Sequence, residues 1–130
     1  MTPEQFKQYA EQGYNRIPIT REVLADLDTP LSAYLKLADG AYSYLFESVH
    51  GGEQWGRYSI IGLPCQELVK IFGNDIRIEN AGKVIETLQH DNPLVWIEEF
   101  KQRFNVPDID GLPRFNGGLV GYFGYETIGY

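Results

Sequence analysis

The stretch that decides the fold is residues 41–64, AYSYLFESVHGGEQWGRYSIIGLP, two aromatic and apolar runs on either side of a glycine-containing connection. Residues 42–49 favour strand at most positions, Gly51 and Gly52 interrupt the pattern, and residues 58–63 resume it with Ile60 and Ile61. The pattern predicts a β-hairpin with a long loop. Alternation in the first run puts Leu45, Glu47 and Val49 on one face and Tyr44, Phe46 and Ser48 on the other. Glu47 is then a carboxylate between two apolar neighbours, and it must reach solvent, find a partner or be held neutral. Two arrangements meet that demand. One is a solvated edge strand. The other is a polar notch in a sandwich core, in which Glu47, Ser48 and the hydroxyl of Ser59 hold a small zwitterion. Periodicity leaves both open.

Upstream of the hairpin, Thr29-Pro30 is a helix start, and Leu31, Tyr34, Leu35 and Ala38 recur on one helical face before Asp39-Gly40 closes it. Thr2, Pro3 and Gln5 form the same kind of start at the beginning of the chain, with Gly13 as the stop. Between these helices, residues 15–21 alternate around Ile17 and Ile19 as a short strand, which Pro18 restricts to an edge. Downstream, residues 67–72, Ile76 with Ile78, and Val84 with Ile85 are separated by the turn signals Gly73-Asn74-Asp75 and Asn80-Ala81-Gly82. They predict a meander of three antiparallel strands. Asn92-Pro93 opens a longer helix with Leu94, Ile97, Phe100 and Phe104 on one face, a proline- and aspartate-containing loop follows at residues 107–113, and residues 117–125 read as a glycine-rich final strand. The class is α+β, an antiparallel sheet or sandwich with packed helices, and the 130 residues are expected to form a single unit.

Composition excludes several functions. Eleven basic against eighteen acidic residues give a net charge of -7, and no Lys/Arg run forms a phosphate-neutralising patch, so nucleic acid is not an expected partner. The single cysteine, Cys65, has no Cys or His at ligand spacing, so neither an internal disulfide nor a metal site is expected. No apolar run approaches a membrane span and the start of the chain does not read as a secretion signal, so the expectation is a cytoplasmic protein. GGLVGYFG lacks the lysine and hydroxyl of a phosphate-binding loop. The carboxylate pairs Glu47/Glu53 and Asp108/Asp110 read as solvated, and neither His50 nor His90 stands in a nucleophile pattern. Arg57 pairs with Glu47 across the hairpin or meets a ligand carboxylate. No catalytic residue is assigned.

Leu45-Phe46-Glu47-Ser48, followed after ten intervening residues by Ser59, resembles the LLES-x10-S signature of the amino-terminal region of the anthranilate synthase component I family. Phe46 stands where that signature has its second leucine. The segments NRIPITREVLADLDTPLSAYLKL, GGEQWGRYSIIGLP and PRFNGGLVGYFGYE are also similar to the family, so the resemblance covers nearly the whole chain from Tyr14 onward.

The resemblance implies an L-tryptophan feedback site in which Glu47 and Ser48 meet the polar end of the amino acid, Leu45 packs against the indole and Ser59 supplies a hydroxyl. It further implies a complete enzyme that converts chorismate to anthranilate and pyruvate. Ammonia would come from a glutamine amidotransferase component II. The catalytic groups and magnesium ligands would lie in a carboxyl-terminal part not present in these 130 residues, which alone would need no cofactor and catalyse nothing. A piece cut in this way is expected to self-associate through uncovered edges. Aminodeoxychorismate synthase component I is the alternative within the resemblance, and a hairpin that only completes a sandwich is the structural alternative.

Overall fold

The computed structural model describes residues 1–47, 58–113 and 115–130. They form three α-helices and two small antiparallel sheets, in the order α1 (Pro3–Glu11), α2 (Pro30–Leu37), β1 (Tyr44–Glu47), β2 (Ser59–Gly62), β3 (Glu67–Phe72), β4 (Asp75–Asn80), β5 (Lys83–Gln89) and α3 (Pro93–Lys101), with a 3-10 helix over Tyr125–Gly129. This is the α+β class that the sequence predicts. The chain divides into two compact units, Met1–Glu22 with Gln89–Tyr130, and Val23–Leu88.

Each helix begins where a side chain can satisfy the free N–H groups of its first turn. Thr2 Oγ1 accepts from the Gln5 N–H, Gln5 Oε1 accepts from the Thr2 N–H, and Pro3 occupies the first helical position. Thr29 repeats the arrangement with Ser32 as the reciprocal partner. Asn92 Oδ1 accepts from both the Leu94 and Val95 N–H groups.

In the unit Val23–Leu88, β1 and β2 pair antiparallel, with Tyr44 opposite Gly62, Leu45 opposite Ile61, Phe46 opposite Ile60 and Glu47 opposite Ser59. β3, β4 and β5 follow as a meander. The β3–β4 register puts Val69 with Ile78 and Ile71 with Ile76 on one face, and Leu68 with Glu79 and Lys70 with Arg77 on the other. The first face is the core, where Ile76 is 0% and Ile78 3% exposed. On the second, Lys70 Nζ donates to Glu79 Oε2 at 2.8 Å. A slip of one residue would exchange these faces, so the alternation itself fixes the register. The two residues between β4 and β5, Ala81 and Gly82, take φ of 49° and 77°, the left-handed pair that matches the twist of a tight hairpin. Helix α2 lies against β1 and β2. Of its predicted apolar face, Ala38 is buried and Tyr34 half-buried, whereas Leu31 and Leu35 remain exposed.

In the unit formed by Met1–Glu22 and Gln89–Tyr130, α3 buries Trp96 and Phe100, whose rings stack with centroids 5.0 Å apart, and Phe104 meets Phe100 edge-on at 5.2 Å. Trp96 is absent from the predicted face, which follows Leu94, Ile97, Phe100 and Phe104; it lies four residues before Phe100 and shares its side of the helix.

Two stretches that read as strands do not form them. Residues 15–21 are irregular, because the Asn15 and Arg16 N–H groups both donate to the carbonyl of Asn105, beyond the end of α3, and Pro18 has no N–H to offer a ladder. Residues 117–124 also pair with no strand among the described residues, and Gly117 and Gly118 take φ of 150° and 137°, outside the range of a regular strand.

Candidate functional site

The hairpin brings together three of the four residues singled out from the sequence. In an antiparallel pair, residues directly opposite one another project from the same face with Cβ atoms about 4.5–5.5 Å apart. Glu47 and Ser59 are such a pair, and Leu45 and Ile61, two positions along, are the next pair on that face. Leu45 and Ile61 are half-buried, while Glu47 and Ser59 at the end of the ladder are exposed. The result is an apolar floor ending in a carboxylate and a hydroxyl. A carboxylate accepts hydrogen bonds from an ammonium group, a hydroxyl both donates and accepts, and two branched aliphatic side chains present a surface for an apolar ring. Ser48, the fourth residue, lies outside the described residues, as do His50, Glu53 and Arg57.

The opposite face of the hairpin is aromatic. The Tyr44 ring folds across its partner Gly62, so that a Cβ added at Gly62 would overlap the ring at its Cε1, Cδ1 and Cζ atoms. Tyr44 and Phe46 pack together with centroids 4.8 Å apart and planes inclined at 33°. Just before β1, the Tyr34 hydroxyl on α2 and Ser43 Oγ lie 2.9 Å apart in a hydrogen bond, and Ser43 Oγ also donates to the carbonyl of Gly40. Sequence reading passes over the Tyr44–Gly62 pair. The signal for it is an aromatic residue facing a glycine once the hairpin register is drawn out from Glu47 and Ser59.

The other polar candidates have local roles. His90 Nδ1 accepts from the Asn92 N–H at 3.1 Å, and its Nε2 lies 4.0 Å from Glu99 Oε2, so the imidazole braces the start of α3. Asp108 and Asp110 are exposed. Among the described residues no group of three or more His, Cys, Asp or Glu side chains is placed to hold a metal ion. None of their helices is long and apolar enough to cross a membrane.

A shallow cavity of about 340 Å³ lies away from the Glu47–Ser59 face, lined by Tyr42, Pro64, Cys65, Leu68 and Glu79 among others. The hydrogen bond from Lys70 to Glu79 holds the lysine above its ordinary pKa, with the Tyr42 phenol alongside adding to the shift. The charge of Glu79 is thereby matched within the fold, and none of Leu45, Glu47 and Ser59 lines this space.

No protein-family model matches the chain. No solved structure matches it. Curated proteins do. It is 56% identical over 130 residues to anthranilate synthase component 1 of Pseudomonas aeruginosa, covering 100% of the chain and 26% of that protein. It is 57% identical over 129 residues to anthranilate synthase component 1 of Neisseria meningitidis serogroup B, covering 98% of the chain and 26% of that protein. The protein of the same name from Acetivibrio thermocellus is 43% identical over 118 residues, 90% of the chain and 24% of its own length. The chain therefore spans about a quarter of the length of the curated relatives it matches.

Proposed function

The chain belongs to the anthranilate synthase component 1 family, matching an amino-terminal region of it, and from that premise we propose that it is the feedback-sensing portion of an enzyme of L-tryptophan biosynthesis. The observation that carries the reading is the direct opposition of Glu47 and Ser59 on the face that also holds Leu45 and Ile61. On this reading the ligand is L-tryptophan. Its ammonium group meets the Glu47 carboxylate, its indole lies on Leu45, and the hydroxyls of Ser59 and Ser48 bind what remains of its polar end. The complete enzyme is a lyase that forms anthranilate and pyruvate from chorismate. It takes ammonia from a glutamine amidotransferase component, and it works in the cytoplasm.

Among the described residues no three His, Cys, Asp or Glu side chains stand together to hold a magnesium ion. Magnesium, the catalytic acid and base groups and the chorismate site are assigned to the remaining three quarters of the relatives' length. Tryptophan then acts at a distance by favouring a state with weaker chorismate binding, and chorismate in turn weakens tryptophan binding by the same factor.

The test is an amide NMR titration of the chain with L-tryptophan, with D-tryptophan as the stereochemical control. Shifts centred on Leu45, Glu47, Ser48 and Ser59 that appear only with the L form support the reading. Equal responses to both forms sink it, because a hairpin that only completes a sheet has no means of telling enantiomers apart. In the complete enzyme, Ser48→Phe is expected to relieve inhibition by L-tryptophan.

A further inference from the structure

The face of the hairpin turned away from Glu47 and Ser59 has a construction that the ligand contacts do not account for. β1 and β2 share only four paired positions, and among the described residues their sheet has no third strand. A two-stranded sheet of that length has little stability of its own and a weakly held twist. Cross-strand side-chain pairs supply what the ladder does not. At the far end from Glu47 and Ser59, the pair is Tyr44 and Gly62, and the absent side chain at Gly62 is the space that the Tyr44 ring fills. That ring packs on Phe46, the immediate neighbour of Glu47.

We infer that Tyr44 and Gly62 are a positioning pair for the Glu47–Ser59 face: the ring seated on the glycine sets the spacing and twist of the two strands that carry the ligand contacts. The inference rests on the feedback reading above. Any side chain at Gly62 evicts the ring, and the ring in leaving presses on Phe46 or spreads the strands. Glu47 lies three residues from Tyr44, about 10 Å along the strand, so a small change of twist at one end alters the approach of Glu47 to Ser59 at the other.

The experiment replaces the matching segment of the Pseudomonas aeruginosa protein with these 130 residues and measures the L-tryptophan concentration for half-inhibition of anthranilate formation, each variant against its own uninhibited rate. Gly62→Ala is expected to raise that concentration about tenfold. Tyr44→Ala is expected to raise it as well, and Tyr44→Ala with Gly62→Ala no further than Tyr44→Ala alone, since the three atoms nearest a Cβ at position 62 all belong to the Tyr44 ring.

Each other outcome has a defined meaning. A parent chimera that forms anthranilate without inhibition by L-tryptophan, or that forms none, overturns the feedback reading and this inference with it. A parent that is inhibited, with a Gly62→Ala variant inhibited at the same concentration, overturns the inference and leaves the reading standing. Equal effects of Gly62→Ala beside tyrosine and beside alanine at position 44 also overturn it, because the glycine would then act without the ring. A variant that loses only its uninhibited rate shows a merely structural role, and that too overturns it.

Discussion

Asn15 and Asn105, 90 residues apart, hold each other through main chain and side chain at once. The Asn105 N–H donates to Asn15 Oδ1 at 2.8 Å, while the Asn105 carbonyl accepts from the Asn15 and Arg16 N–H groups at 3.0 and 3.2 Å. Asn15 Nδ2 donates to the carbonyl of Arg103 at 2.7 Å, and Asn105 Nδ2 donates to that of Gly13 at 3.2 Å. The clasp joins the end of α1 to the end of α3, and Arg16 completes it by lying over the Phe104 ring at 5.0 Å.

Asn15→Ala removes two of these bonds and leaves an N–H and a carbonyl to be met by water. The groups are exposed, so the expected loss is modest, about 1–2 kcal/mol. Asn15→Asp keeps the acceptor for the Asn105 N–H and loses the donor to Arg103, and should fall between the two. Urea unfolding of the three proteins checks the order, and an Asn15→Ala midpoint equal to the parent's would remove the clasp from the account of stability.

Trp96 is 4% exposed and stacks on Phe100, so Trp96→Ala opens a cavity in a small core. The expected destabilisation is about 3–5 kcal/mol, a large fraction of the whole stability of a domain of this size. Thermal unfolding followed by far-ultraviolet circular dichroism would show a broad early transition. A loss below about 1 kcal/mol would mean that the ring is not a core residue.

Ala81 is held at a φ of 49° in the β4–β5 turn, where a residue with a Cβ is disfavoured by about 1–2 kcal/mol. Ala81→Asn creates the Asn-Gly pair that two-residue hairpins prefer. A gain of about 0.5–1 kcal/mol is expected, read as a higher denaturation midpoint with an unchanged slope. A lower midpoint would show that the turn does not populate this geometry in solution.

Asp28 accepts hydrogen bonds from Lys36 Nζ at 2.6 Å and Ser32 Oγ at 2.7 Å, and these two bonds, the lysine's first, hold its carboxyl below the ordinary carboxylate range. The sign follows from the depressed folded value. The contribution is fully present above the unfolded value of about 3.9, and it is lost as pH falls through the lower folded one. Asp28→Asn should therefore flatten the dependence of melting temperature on pH below about pH 4 and leave the slope near neutrality unchanged. Parallel acid titrations of the two proteins decide it.

Leu24, Leu27 and Tyr122 are 92%, 100% and 94% exposed. Large apolar side chains left so open favour association, and the chain is expected to self-associate as its concentration rises. Sedimentation velocity over a wide concentration range is the measurement. A monomer throughout would show that these residues need no cover.

The starts of the three helices were legible because a cap is a local event: Thr2 with Gln5, Thr29 with Ser32 and Asn92 with Val95 are each three residues apart. The meander was legible for a similar reason, since Ala81-Gly82 is a turn signal and alternation in β3 and β4 assigns the faces. The hairpin followed from two strand-like runs and the loop between them, whereas its register, with Glu47 opposite Ser59, came only with the structure. Residues 15–21 and 117–125 failed as predicted strands because a strand is completed by a partner. Alternation shows that a segment can be extended, but it does not show where its N–H groups will donate.

By itself the sequence determined the family, the class of fold and the element boundaries set by caps and turns, and it put Leu45 and Glu47 on one face of a strand. Only the tertiary structure decided that Asn105 would take the N–H groups of residues 15 and 16, that Trp96 would be buried while Leu31 and Leu35 were not, and that Tyr44 would fill the space over Gly62. Local hydrogen bonds and backbone preferences act over three or four residues and are written in the order of the chain. Burial and ring packing depend on which distant surfaces meet, and that is settled only when the chain has closed on itself.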